Sequence, residues 1–132
     1  MAGYSSTPLV KKLGLKEGSR IVLVNQPDNY FSLLDDLPDV KLANDDEQAD
    51  FLHFFTRDVG ELKEQLPLLK SRMKKDAMLW ISWPKKASKV PTTIDENLVR
   101  SIGVNIGLVD VKICAVDEVW SGLKFMYRIK DR

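Results

Sequence analysis

Three short, nearly unbroken apolar runs dominate the chain: RIVLVN at 20–25, ADFLHFFT at 49–56 and AMLWISW at 77–83. Runs of this length, bounded by polar turns, fit strands covered on both faces of a parallel sheet. VKLA at 40–43 is a weaker strand candidate. Helical signals alternate with the runs. Thr7, Pro8 and Gly14 suit the cap, first position and exit of a short helix whose Leu9, Val10 and Leu13 form an apolar face. Pro27 and Asp28 open a second helix through Tyr30, Phe31, Leu33 and Leu34, closed by Pro38. Asp58 with Glu61 has the spacing of a reciprocal cap. Val59, Leu62, Leu66, Leu69 and Met73 then make one stripe, which Pro67 should kink or restart. Thr93 with Glu96 repeats the capping spacing, before Ile94, Leu98 and Ile102 and a terminating Gly103.

The last segment changes period. Val109, Val111, Ile113 and Ala115 alternate with Asp110, Lys112, Cys114 and Val116, and Leu123, Phe125, Tyr127 and Ile129 alternate with Lys124, Met126, Arg128 and Lys130. Joined by DEVWSG, these read as a half-buried antiparallel hairpin at the sheet edge. The order β-α-β-β-α-β-α-β-β predicts a three-layer, Rossmann-like, mostly parallel sheet closed by a C-terminal hairpin. That ending resembles the class I methyltransferase sheet. Fold alone does not give function.

Length and composition narrow the picture. At 132 residues the chain suits one domain, with an N-terminal docking arm at 1–18 and an α/β body at 19–132. A single cysteine, Cys114, and a single histidine, His53, exclude an internal disulfide framework and the usual zinc clusters, so no metal is expected. No apolar run approaches the ~20 residues that span a bilayer. The start, MAGYSSTPLVKKLG, has no signal-like apolar segment, and a cytoplasmic protein with no membrane partner is expected.

Charge is uneven along the chain. Residues 1–66 hold 7 Lys/Arg against 12 Asp/Glu, and residues 67–132 hold 13 against 7. The acidic run is DDLPDVKLANDDEQAD at 35–50, and the basic runs are KSRMKK at 70–75 and KKASK at 85–89. The plain reading is solvated faces of opposite sign. No nucleic-acid partner is expected from so small a net charge.

Candidate chemistry is sparse. Ligands of open parallel sheets bind beyond the carboxyl ends of the strands, which here carry Asn25-Gln26-Pro27, Thr56-Arg57-Asp58 and Trp83-Pro84-Lys85-Lys86. NQPDNY after the first strand has no glycine, so backbone cannot approach a dinucleotide or S-adenosylmethionine closely in the usual way. No cofactor is expected. GxxxxGK[ST] is absent, Ser82 lacks a nucleophile elbow, and neither Cys114 nor His53 sits in a nucleophile motif. Asp117 and Glu118 are adjacent and face opposite ways in an extended chain. Lys85 and Lys86, after a proline-terminated central strand and beside Trp83, could hold a carboxylate or phosphate. Their plain alternative is a solvated loop, with Trp83 and Trp120 as core or docking residues. An antiparallel hairpin strand whose end falls at the other sheet edge would separate the WPKK turn from Asp117, Glu118 and Trp120.

Three stretches, GYSSTPLVKKLGLKEG at 3–18, ISWPKKASKVPT at 81–92 and CAVDEVWSGLKFMYR at 114–128, together resemble the small bacterial family catalogued as domain of unknown function three thousand and fifty-two. The resemblance marks Gly3, Tyr4, Ser5, Thr7, Pro8, Lys11, Lys12, Trp83, Pro84, Lys85, Lys86, Asp117, Glu118, Trp120, Ser121 and Gly122 as motif positions, and carries no activity, cofactor or catalytic residue with it. The sequence therefore favours a non-catalytic binding or interaction module on a Rossmann-like scaffold. Its candidate ligand residues are Asn25, Arg57, Trp83, Lys85 and Lys86, and its partner is a protein or a small anion. The alternatives are a small anionic-metabolite-binding protein or enzyme using Lys85 and Lys86, and a degenerate S-adenosylmethionine methyltransferase-like protein.

Overall fold

The structure is a computed structural model that describes residues 7–35 and 37–132. Gly3, Tyr4 and Ser5 of the N-terminal motif lie outside the described residues. Six strands form one sheet: β1 (Arg20–Val24), β2 (Lys41–Leu42), β3 (Ala49–Phe55), β4 (Met73–Pro84), β5 (Leu108–Ala115) and β6 (Trp120–Tyr127). Their order is β2-β1-β3-β4-β6-β5, parallel from β2 to β4, with β6 antiparallel to both β4 and β5. The expected α/β sheet with its closing hairpin is therefore present. Among the described residues no helix is long and apolar enough to cross a membrane.

The buried runs give the central strands because both faces are covered. On one face lie α2 (Val59–Ser71) and α3 (Glu96–Asn105), over a core containing Leu52, Phe54, Leu62, Leu66, Leu79, Ile81, Val99 and Phe125. On the other lie α1 (Leu9–Leu13) and a single 3₁₀ turn at Phe31–Leu33, over Ile21, Phe51, Phe55 and Trp80. The short α1 is fixed by more than apolar contact. Trp80 Nε1 donates a 2.8 Å hydrogen bond to the Leu13 carbonyl, at the turn where Gly14 takes a left-handed φ of 78°.

Several local expectations are corrected. Pro8, not Thr7, is the α1 N-cap, and its carbonyl accepts from the Lys11 and Lys12 N–H groups. The helix expected after Pro27 is only the 3₁₀ turn, since Tyr30 and Leu34 are its two buried anchors and Phe31 is 46% exposed. Pro67 neither ends nor restarts α2, and Met73 belongs to β4, opposite Ala49. Asp95 caps α3 by accepting from the Leu98 N–H, whereas Thr93 Oγ1 accepts from Val59 N at the start of α2. The α3 stripe turns accordingly, burying Val99 and Gly103 while Leu98 and Ile102 are only half-buried. Gly103 is not a terminator but a contact point under Phe125, and the turn after α3 uses Gly107 at φ 96°. In β5 an irregularity between Asp110 and Lys112 breaks the alternation, leaving Val111 and Ile113 about half exposed on the edge strand.

Candidate functional site

The chain leaves β1 for β2 on one side and returns to β3 on the other, so the topological switch lies between β1 and β3. The carboxyl ends there form a crevice of about 390 Å³ lined by Asn25, Phe55, Thr56, Arg57, Glu61 and Trp120. Phe55 and Trp120 meet edge to face at 5.1 Å. Asn25 has a left-handed φ of 58°, a conformation that asparagine tolerates better than most residues. Its Nδ2 donates to Glu61 Oε2 at 3.2 Å, and Thr56 Oγ1 donates to Glu61 Oε1 at 2.6 Å. Thr56 is buried.

The capping spacing of Asp58 and Glu61 therefore delivers half of what it predicts. Asp58 Oδ2 accepts from the Glu61 N–H at 2.9 Å, but the Glu61 side chain turns to the strand ends instead of back to Asp58. The Asp58 N–H is taken by Thr56 Oγ1 at 3.3 Å. Glu61 is a crevice residue that the sequence does not single out, because the Asp-x-x-Glu spacing offers a complete local role for the glutamate, whereas Thr56 is read there only as part of a strand end.

Beside this crevice is a second cleft, also about 390 Å³, where Trp83, Pro84, Lys85, Lys86 and Ser121 meet the start of α3 at Asp95 and Glu96. Trp83 is only 5% exposed and belongs to the core beneath the cleft. The hairpin turn lies at this end of the sheet, not the other, because β5 runs parallel to β4 with β6 between them. Pro84 is in register with Trp120, and the Lys85 N–H donates to the Val119 carbonyl at 2.7 Å. The WPKK and DEVWSG turns thus touch. Asp117 is not part of an extended pair with Glu118, since its Oδ1 accepts from both the Val119 and Trp120 N–H groups and shapes the turn. Glu118 is exposed. So Asn25, Arg57 and Trp120 line one crevice, Trp83, Lys85 and Lys86 the next, and the hairpin turn joins them.

Charge along this rim is unequally satisfied. Asp58, Glu61, Asp95 and Asp117 each accept at least one hydrogen bond within the chain, and Glu96 pairs with Arg100 at 2.7 Å. Among the described residues, no carboxylate lies within ion-pair distance of Arg57, Lys85 or Lys86.

The buried His53 is elsewhere and does not meet Cys114. Its imidazole bridges the Tyr30 hydroxyl (Nδ1, 2.9 Å) and the Ser82 hydroxyl (Nε2, 2.7 Å) and stacks on Phe55 at 4.2 Å. Burial pushes its pKa down to about 3 and pushes the Tyr30 phenol up. The Cys114 thiol is also raised by burial, although Lys12, Lys112 and Lys124 pull the other way. Both groups are in their neutral forms near pH 7 and suit packing, not nucleophilic chemistry.

Solved structures share this architecture. A SAM-dependent methyltransferase from Aquifex aeolicus superposes with a TM-score of 0.63 at 17% identity, covering 91% of this chain and 88% of its own. The ribosomal protein L11 methylase of Lactobacillus delbrueckii subsp. bulgaricus gives 0.57 at 11%, over 91% of this chain and 75% of its own. The Methanococcus jannaschii fibrillarin pre-rRNA processing protein gives 0.54 at 12%, over 93% and 70%. The fold is that of the SAM-dependent methyltransferases. No family model and no curated protein matches the sequence.

The residues at the switch point do not fit S-adenosylmethionine. The β1 end has no glycine and is tied through Asn25 to Glu61, and a proline-containing turn with one 3₁₀ turn stands where a nucleoside-binding fold places a glycine loop and a helix start. Acidic residues that could hold ribose hydroxyls follow β2, but that segment is held at the amino ends of the strands. Arg72, after α2, donates to the Asn44 and Glu47 carbonyls, and Glu47 pairs with Arg20 at the start of β1.

Proposed function

We propose that this protein is a non-catalytic binding module built on the methyltransferase fold, with the rim at the carboxyl ends of its strands as the binding face. The observation that carries the reading is the Asn25–Glu61–Thr56 hydrogen-bond set, which ties the chain's own side chains together along the wall of the β1–β3 crevice. A degenerate methyltransferase origin is compatible with it. Further support comes from His53 and Cys114, which are neutral and packed, and from the touching WPKK and DEVWSG turns, which form one continuous surface.

A second reading has its own observation. Among the described residues, Arg57, Lys85 and Lys86 have no carboxylate within ion-pair distance while the carboxylates around them are engaged, which favours a small carboxylate or phosphate as ligand. A thermal-shift panel of S-adenosylmethionine, nucleotides, sugar phosphates and small carboxylates tests both readings. Saturating ligand at about a hundred times its Kd adds ~2.7 kcal/mol, several degrees in Tm for a domain of this size. No shift with S-adenosylmethionine is expected. A shift with an anion that disappears in Lys85→Ala/Lys86→Ala, with the variant's own Tm within a degree or two, selects the metabolite reading. A blank panel selects a macromolecular partner. Methyl transfer, or a cofactor-dependent shift, overturns the proposal.

A further inference from the structure

The other end of the sheet gathers a cluster that the readings above do not use. Around the exit of α3 lies a cleft of about 500 Å³ lined by Lys70, Lys75, Gly107, Tyr127, Arg128 and Asp131, among others. Lys70 Nζ and Lys75 Nζ stand 5.6 and 4.5 Å from the centre of the Tyr127 ring. Lys70 Nζ and Arg128 Nη2 also both come close to Gly107. A Cβ on Gly107 would be 3.1 Å from the first and 3.2 Å from the second, so the glycine leaves room for both. Three cations therefore line one cleft, two of them beside the Tyr127 ring. Among the described residues, one carboxylate, Asp131, lines the same cleft and pairs with Arg128 at 3.4 Å.

Helix capping accounts for two of the three. Lys70 donates to the Ile106 carbonyl and Arg128 Nε to the Gly107 carbonyl at 3.2 Å, where the α3 dipole is negative. It does not account for Lys75. That side chain has no carboxylate partner among the described residues, and its ring contact adds a third positive charge to a space already holding two. Like charges so placed repel each other, and a multiply charged anion between them would turn repulsion into attraction. Ammonium and guanidinium donors beside an open cleft suit phosphate oxygens, which take several charge-assisted hydrogen bonds at once.

We propose that Lys70, Lys75 and Arg128, with Tyr127 as floor, form a binding site for a phosphate group, separate from the carboxyl-end rim and independent of its reading. Pyrophosphate is the probe, titrated at constant ionic strength into the ¹⁵N-labelled full chain. The expected result is saturable shifts of residues 70–75, 105–107 and 127–131 that fit one Kd, whether or not the rim at 85–86 also responds. Lys75→Ala, which breaks no hydrogen bond, should weaken the probe about tenfold with Tm unchanged. Lys63→Ala, at an exposed lysine that lines neither this cleft nor the rim, should leave its Kd unchanged. Titrating inorganic phosphate, a sugar phosphate and a nucleoside diphosphate in parallel separates possible sources of the group. Non-saturating shifts, shifts spread over lysines throughout the chain, or a Kd indifferent to Lys75→Ala would overturn the proposal.

Discussion

Glu61 Oε1 accepts a 2.6 Å hydrogen bond from the hydroxyl of Thr56, so the first turn of α2 is tied to the carboxyl end of β3. Through its other oxygen the same carboxylate reaches Asn25 at the end of β1. One side chain thus fastens the two strands that flank the switch point, where a nucleoside-binding fold would keep open backbone. Removing the carboxylate in Glu61→Ala, or the hydroxyl in Thr56→Val, should each cost ~1–2 kcal/mol in urea denaturation. The double variant should lose less than the two together, because both remove one interaction. Additivity within ~0.3 kcal/mol would mean that the bond contributes nothing.

His53 sets a pH dependence of stability that can be isolated, since it is the chain's single histidine. Its folded pKa is depressed to about 3, so the unfolded chain takes up a proton near pH 6.5 that the native state refuses. The stabilisation is complete above the unfolded pKa and is lost progressively as pH falls toward the folded value. Between pH 6.5 and 5, before most carboxylates titrate, the loss should be ~2 kcal/mol. His53→Gln, which can still bond Tyr30 and Ser82, should flatten that window. An unchanged slope in the variant would place the titration elsewhere.

Gly103 offers a sign test. In an exposed helix, Gly→Ala gains ~1 kcal/mol. Here the added Cβ would stand 2.9 Å from Phe125 Cδ1 and closer still to the rest of the ring edge, inside the core between α3 and β6. Overpacking should win, and Gly103→Ala should destabilise by ~1–3 kcal/mol. A rise in the urea midpoint would show that Phe125 can move aside.

Trp83 is 5% exposed, so Trp83→Ala should cost ~3–5 kcal/mol. A loss below ~1 kcal/mol would return the indole to the surface as a recognition residue.

The strands were legible because burial on both faces writes continuous apolar runs, as in 49–55 and 77–83, and burial on one face writes alternation, as in Leu123, Phe125 and Tyr127. Helix ends were less so. Thr93 and Asp95 both suit a cap, and only the third dimension shows that Thr93 serves α2 from 34 residues away. Gly103 reads the same as a terminator or as a contact glycine until Phe125 is placed against it. Asn25, Arg57 and Lys85 could be placed at the carboxyl ends of the strands because strand ends can be read from the runs. Glu61 was masked by its own local role, and the Tyr30–His53–Ser82 bridge, spanning 23 and 29 residues, has no local signature.

The account's central claim is that the methyltransferase-type switch point, with its polar groups tied to one another, does not take the cofactor. Isothermal titration of the full chain with S-adenosylmethionine to about 1 mM tests it most directly, since a Kd in that range corresponds to only ~4 kcal/mol of binding. A flat trace is the predicted result. A saturating one-to-one isotherm would contradict it and return the protein to the cofactor-binding methyltransferases.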